Sequence, residues 1–232
     1  MSHSRHEFDD YIETYRTAQG RAIAISGETE DYFATLRARR LRAWLPEFAG
    51  RPIAILDFGS SDGHMAGIVK DYFPEARVAG IDPSLRSIEY AKSSHPGLEF
   101  FVSEEGGHMP FADATFDLVY AVGVLHHIPF QEHEATYREI FRVLKPDGAF
   151  VLFEMNPWNP VTQMVFKISA VDRHATMFSS RFAAKLLRKH GVVDTHYYAY
   201  FPHFLKFLRF MESYLERIPL SALYAIIVRP QP

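Results

Sequence analysis

The sequence predicts an α/β protein built on a mainly parallel sheet with helices on both faces, and three observations carry that prediction. Strand-type and helix-type segments alternate from about residue 50 onward, which is the mark of successive βαβ units. Small residues gather where the first strand meets its helix, as a sharp strand-to-helix turn requires. One βαβ unit on, Asp82 closes the second strand, at the carboxyl edge where open α/β sheets hold their ligands.

Residues 53–57 form a short apolar run and read as the first strand, with a helix over 62–72 behind the turn. A strand at 77–82, a helix over 84–94 and a strand at 98–102 complete two βαβ units. Residues 117–122 are the fourth strand. A helix over 132–144 is stopped by Lys145-Pro146-Asp147-Gly148, and 149–154 is the fifth strand. Ahead of this core, Phe8, Tyr11, Ile12 and Tyr15 fall at helical spacing before Gly20. Phe33, Leu36, Leu41, Trp44 and Leu45 mark a second helix. After the core come the turn Asn156-Pro157-Trp158-Asn159-Pro160, helices over 161–169 and 180–190, and strands at 192–201 and 222–228. Between those strands an aromatic helix is expected over 203–217. There Phe204, Leu205, Leu208, Met211 and Leu215 recur at core spacing, while Phe207, Phe210 and Tyr214 widen the apolar arc. It is expected to pack as a lid, with a lipid-facing or dimer-forming role as the alternatives. The whole chain, 1–232, reads as one domain: a helical cap (1–50), a core (51–155) and a late helical and strand region (156–232).

Composition narrows the function. The 232 residues carry a net charge of -3, with 47% hydrophobic and 23% charged residues, the balance of a soluble globular chain. No basic field is available for a nucleic acid backbone, so nucleic acid is disfavoured as a partner. The absence of cysteine excludes disulfides, iron–sulfur clusters and thiolate zinc sites. The N-terminus has no apolar run of the kind a signal peptide needs, so a cytoplasmic location is expected.

The turn Asp57-Phe58-Gly59-Ser60-Ser61-Asp62-Gly63-His64 lets a ligand approach the backbone closely. It is not the dinucleotide fingerprint, because Ser61 and His64 stand where Gly-x-Gly-x-x-Gly needs glycine. A P-loop is excluded too, since no Gly-Lys-Ser or Gly-Lys-Thr follows. Asp82, an acceptor-only carboxylate, is suited to a ribose diol. Turn and carboxylate face one cleft.

On these residues the chain resembles the class I S-adenosylmethionine-dependent methyltransferases of the small-molecule type. Asp57, Gly59 and Gly63 match the first motif, with Ser61 in place of its middle glycine. Asp82 matches the ribose-binding acid. Glu104 or Glu105, with Glu105 preferred, falls where the family's third acidic residue meets adenine. Phe116-Asp117-Leu118-Val119, Val124-Leu125-His126-His127-Ile128 and Arg142-Val143-Leu144-Lys145-Pro146-Asp147-Gly148 look like the following signatures, the last with Asp147 for the usual glycine. The resemblance implies a three-layer Rossmann-like sandwich of seven strands, mostly parallel with an antiparallel last strand. It also implies S-adenosylmethionine as cofactor, S-adenosylhomocysteine as product, and a cofactor site of Asp57, Gly59, Ser60, Ser61, Gly63, Asp82, Pro83, Glu104, Glu105 and Val122. A nicotinamide-dependent reductase is the runner-up. A non-catalytic module that binds S-adenosylmethionine is the reading from a different class.

The acceptor is expected to be a small, apolar or lipid-linked molecule. Transfer needs alignment above all, and a base only where the acceptor carries a proton to lose. His126, His127 and Glu154, at strand ends over the cleft, are the candidate catalytic residues. For Asp57 the alternative to cofactor contact, and compatible with it, is fixing its loop by accepting backbone N–H groups, and Asp117 is expected to be structural. Tyr11, Tyr15, Trp158, Arg173 and His174 are the candidate acceptor contacts, drawn partly from the Asp172-Arg173-His174 segment. The histidines show no metal-ligand spacing, His126-His127 lacking a helical His-x-x-x-His partner, so no metal is expected. Peripheral membrane contact, if any, falls to 203–217.

Overall fold

A computed structural model describes Ile23 and residues 26–103, 107–169 and 172–231. The first expected helix, with Tyr11 and Tyr15, and the Glu104-Glu105 pair lie outside the described residues. Seven strands form one sheet: β1 (Ala54–Phe58), β2 (Arg77–Asp82), β3 (Glu99–Val102), β4 (Phe116–Val122), β5 (Leu144–Met155), β6 (Val192–Tyr198) and β7 (Leu223–Arg229), in the order β3-β2-β1-β4-β5-β7-β6. Strands β1 to β5 pair in parallel, and β7 runs antiparallel to both β5 and β6. The helices are α1 (Glu30–Trp44), α2 (His64–Tyr72), α3 (Leu85–Ser94), α4 (His133–Val143), α5 (Pro160–Ile168), α6 (Ser180–Leu187) and α7 (Glu212–Leu215).

Alternation along the strands builds two cores. Ile55, Tyr120, Val151 and Phe153 face Leu36 and Leu41 of α1, Leu45 just past its end and Val69 of α2. Leu56, Val119, Phe150 and Leu152 face Tyr137 and Ile140 of α4 and Leu187 of α6. Each such side chain contributes about 1.5–3 kcal/mol by leaving water, so the sheet is covered on both faces as parallel strands require. Helix starts carry their caps: Thr29 accepts the Tyr32 N–H, Ser84 the Ser87 N–H and Asn159 the Val161 and Thr162 N–H groups. Asp117 is structural, accepting the Ala54 N–H at 2.8 Å and pairing with Lys145 at 2.9 Å.

The chain leaves β1 toward β2 on one side, while β4 and β5 build the other. Between the carboxyl ends of β1 and β4 lies the crevice where connections diverge, the usual ligand site of such sheets.

Two expectations need correction. Helix α4 ends at Val143 and runs directly into β5 at Leu144, earlier than 149, because the 145–148 irregularity is absorbed as a register shift against Phe116 and Leu118. The aromatic segment is a 3-10 helix over His203–Met211 that passes into the short α7. The backbone leaves helical geometry at Leu205 (φ -106°, ψ 17°); beyond that kink, with three residues per turn, Phe207 and Phe210 lie one above the other, and Phe204 precedes it. Phe204, Phe207 and Phe210 are 74%, 68% and 73% exposed. The core spacing read for Phe204 and Met211 assumed a period of 3.6 that the backbone does not adopt. The buried residue here is Glu212, which accepts the Tyr200 N–H.

Candidate active site

The end of β1 turns sharply into α2. Gly59 and Gly63 take φ of 79° and 80°, and Ser61 takes 46°, so three residues of one turn lie in the left-handed region. A Cβ on Gly59 would stand 2.3 Å from Val124 Cγ2, and one on Gly63 would stand 2.6 Å from Phe100 Cζ; both positions demand glycine. The Gly59 and Ser60 N–H groups donate to Ile81 O at 2.8 and 3.0 Å, tying the turn to β2. Asp82 Oδ2 accepts the Ser61 N–H and Oδ1 the Ser84 N–H, each at 2.9 Å. Asp82 therefore braces the turn from behind, and Pro83 is exposed outside the cleft lining.

A cleft of about 220 Å³ opens above this turn, lined by Asp57, Gly59, Ser60, Ser61 and, across it, Val122, His126, His127, Glu154 and Asp172. Two buried polar atoms in it, Asp57 Oδ2 and Ser60 Oγ, lack a well-formed hydrogen bond. Burial pushes the Asp57 carboxyl up to about 8, the adjacent Tyr120 hydroxyl offsetting part of this and the Asp82 charge adding to it. Of the two roles open to Asp57, loop fixing is not supported at Oδ2, which accepts no backbone N–H. Unpartnered polar atoms beside a glycine cradle fit a cationic, amino-acid-bearing ligand such as S-adenosylmethionine.

On the β4 and β5 side a 3-10 turn, Leu125–His127, is held from three directions. His133 Nε2 meets Leu125 O at 2.9 Å and Ile128 O at 3.0 Å, Glu154 Oε1 accepts the Leu125 N–H at 3.2 Å, and the Thr176 N–H donates to His126 O at 2.8 Å. His126 Nδ1 lies 2.6 Å from Glu154 Oε2, its Nε2 lies 3.3 Å from Asp172 Oδ1, and His127 Nε2 lies 3.5 Å from that same oxygen. Burial disfavours charge on His126, but Glu154 and Asp172 outweigh it and raise its pKa to about 10. Burial and the His126 charge lower His127 to about 4. Burial opposes ionisation of Asp172, yet the hydrogen bonds from His126 and Ser169 hold its carboxyl below the usual range.

His126, His127, Glu154, Val122 and the turn residues thus converge, as expected from the sequence. Trp158 does not form an acceptor wall. Asn156 Nδ2 donates to Pro219 O and Ser221 O, the chain turns outward, and Trp158 is 70% exposed. Arg173 and His174 are also exposed and outside the cleft, whereas their neighbour Asp172 reaches it. The apolar part of the cleft lining includes Phe33, Met65, Val161, Val165 and Leu223. Arg37 on α1, with a buried Nε lacking a partner, also lines the cleft. Sequence reasoning missed Phe33 and Arg37, whose only signal was the polar and apolar alternation of α1.

Residues 56–152 match the methyltransferase domain family. The demethylmenaquinone methyltransferase of Chlorobaculum parvum is 32% identical over 187 residues, 77% of this chain and 73% of that protein. The sterol 24-C-methyltransferase of Aspergillus fumigatus is 40% identical over 106 residues, 43% of this chain but 27% of that one. In fold, an S-adenosylmethionine-dependent methyltransferase of Thermotoga maritima matches 99% of this chain and 100% of its own, with a TM-score of 0.71 at 19% identity. The chain belongs to the class I S-adenosylmethionine-dependent methyltransferases, acting on small molecules and leaving S-adenosylhomocysteine.

Proposed function

We propose that this methyltransferase acts on an apolar, lipid-like acceptor that carries an ionisable oxygen, and meets it at a membrane surface. The observation that carries the reading is the pairing of a polar array, His126, His127, Glu154 and Asp172, with the apolar wall of Phe33, Met65, Val165 and Leu223 in one cleft. The relatives named for demethylmenaquinone and sterol methylation support an apolar acceptor.

The bound donor supplies a methyl group on a positively charged sulfur, displaced in line. The chain's contribution is alignment and exclusion of water. The turn 59–63, braced by Asp82, sets the donor's position, and Asp57 offers a carboxylate to its positive charge. The polar array would hold the acceptor's oxygen, whose proton leaves to solvent, so that the oxygen, or a carbon conjugated to it, becomes nucleophilic. The exposed side chains of Phe204, Phe207, Phe210, Tyr214 and Leu220 are suited to the lipid interface. Among the described residues no helix is long and apolar enough to cross a membrane.

Methyl-labelled donor with a panel of alkyl phenols, quinols, short-chain amines and short-chain carboxylates tests the reading. Label is expected in the alkyl phenols or quinols. Transfer confined to the water-soluble amines or carboxylates overturns it.

A further inference from the structure

We infer that His126, His127 and Asp172 form a binding site for one divalent ion of the zinc type, with an open coordination position turned to the methyl-transfer cleft. Each residue offers one ligand atom, and the three atoms lie within 4.8 Å of one another. Asp172 Oδ1 is 3.3 Å from His126 Nε2 and 3.5 Å from His127 Nε2. Ligand atoms at about 2.0–2.1 Å from a tetrahedral ion stand about 3.3 Å apart, close to both of these edges, the first of which is a hydrogen bond in the ion-free chain.

The surroundings agree with that chemistry. Glu154 Oε2 sits 2.6 Å from His126 Nδ1, on the ring nitrogen opposite the proposed ion, and a carboxylate in that position fixes the tautomer and aims the other nitrogen at the metal. Backbone contacts at Leu125 O, Ile128 O and His126 O hold the turn rigid, as a preformed site needs. The side chains of His126 and Glu154 are 2% and 3% exposed, and those of His127 and Asp172 are 19% and 13% exposed, so the two reachable ligands face the entry. A divalent ion also balances the charges of the two carboxylates, with both imidazoles neutral. Two histidines and one carboxylate favour zinc, cobalt or iron over magnesium, which prefers oxygen. Three protein ligands leave a fourth position for an oxygen of the acceptor. Binding there lowers that oxygen's pKa, and its proton leaves to solvent. The catalytic meaning of the site rests on the proposed acceptor chemistry, whereas ion binding itself needs neither donor nor acceptor.

The experiment uses the full chain, freed of metal by chelation and shown to be folded by circular dichroism. It is titrated separately with Zn²⁺, Co²⁺ and Mg²⁺ by calorimetry, with visible absorption recorded for Co²⁺. One equivalent of Zn²⁺ is expected to bind with micromolar or tighter affinity and Mg²⁺ at least a hundredfold more weakly, and Co²⁺ should give the intense absorption of a tetrahedral site. His127→Ala and Asp172→Asn, at part-exposed positions, should each weaken Zn²⁺ binding at least tenfold, and Glu154→Gln by about 10- to 100-fold. S-adenosylhomocysteine affinity, measured on the same samples, should stay within threefold for His127→Ala. Absence of Zn²⁺ binding by folded protein, or equal binding by both ligand variants, overturns the site. Either result leaves the reading of the acceptor standing, since labelled transfer is measured apart from it.

Discussion

Asp82 Oδ2 accepts the backbone N–H of Ser61 at 2.9 Å, so the carboxylate that ends β2 also holds the turn that ends β1. Its second oxygen takes the Ser84 N–H at 2.9 Å, and one residue thereby fixes two loops around the cleft. Hydrogen bonds to a charged group are worth about 1.5–3 kcal/mol. Asp82→Ala is therefore expected to weaken S-adenosylmethionine and S-adenosylhomocysteine binding by more than tenfold in protein that remains folded. Calorimetric titration measures this, and unchanged affinity would remove Asp82 from the site.

The same turn separates two substitutions that look alike on paper. Gly63→Ala places a Cβ 2.6 Å from Phe100 Cζ at φ of 80°, combining overpacking, about 1–3 kcal/mol, with left-handed strain of about 1–2 kcal/mol. Ser61→Gly instead relieves a left-handed serine at φ of 46° while adding freedom to the unfolded chain, so the two effects nearly cancel. Denaturant unfolding should show the first variant destabilised by at least about 2 kcal/mol and the second within about 1 kcal/mol of the parent.

What was legible in the sequence was local. Asp57, Gly59, Gly63 and Asp82 are set by a strand, a turn and the next strand, whose geometry fixes spacing along the chain. His126, His127 and Glu154 were legible for the same reason, each following or ending a strand. Asp172 entered only through its segment, with Arg173 and His174 preferred, because which of the three reaches the cleft depends on tertiary contacts such as the Thr176 N–H to His126 O bond, and no spacing rule encodes that. Trp158 was misplaced because the side chain of Asn156 engages Pro219 O and Ser221 O and steers the chain outward. The aromatic segment misled through its period, 3.0 in place of 3.6.

Arg37 offers a prediction that the sequence did not contain. Arg37 lines the cleft, its guanidinium lies near the Tyr198 hydroxyl and over the Phe33 ring, and its Nε is buried with no partner, so it suits the donor's amino-acid carboxylate. Arg37→Gln should weaken S-adenosylhomocysteine binding at least tenfold and leave adenosine, which has no carboxylate, within about threefold, as expected for the loss of one charged hydrogen bond. Equal losses for both ligands would show that Arg37 only supports the fold.

Asp57 makes cofactor binding and stability depend on pH. Its carboxyl is raised from 3.8 to about 8, so between those values the folded chain holds a proton that the unfolded chain has lost. Stability from this group is fully present below the unfolded value and is lost as pH rises toward 8, with a ceiling of about 1.4 kcal/mol per pH unit. Asp57→Asn should accordingly raise the melting temperature of the unliganded protein more at pH 8 than at pH 5. A cationic donor favours the ionised form, so its binding near pH 7 should release a proton in the parent and none in the variant. Binding enthalpies measured in buffers of different ionisation enthalpy report this directly. An enthalpy independent of buffer would mean that Asp57 is already charged.

The exposed aromatics test how the acceptor reaches the cleft. Phe204, Phe207 and Phe210, on either side of the Leu205 kink, are all largely exposed, as are Trp158 and Leu220. Replacing an exposed side chain away from packed features usually changes stability by no more than about 0.5 kcal/mol. Moving a phenylalanine from water into an apolar phase is worth about 1.5–3 kcal/mol. Phe204→Ser, Phe207→Ser and Phe210→Ser combined should therefore keep S-adenosylhomocysteine affinity and the fold, while lowering binding to phosphatidylcholine–phosphatidylglycerol vesicles at least tenfold. Co-sedimentation measures the partition. Transfer to a vesicle-borne alkyl phenol should fall in step with it, and transfer to a detergent-dispersed one should not. Equal sedimentation of parent and variant would assign these side chains to something other than a lipid surface.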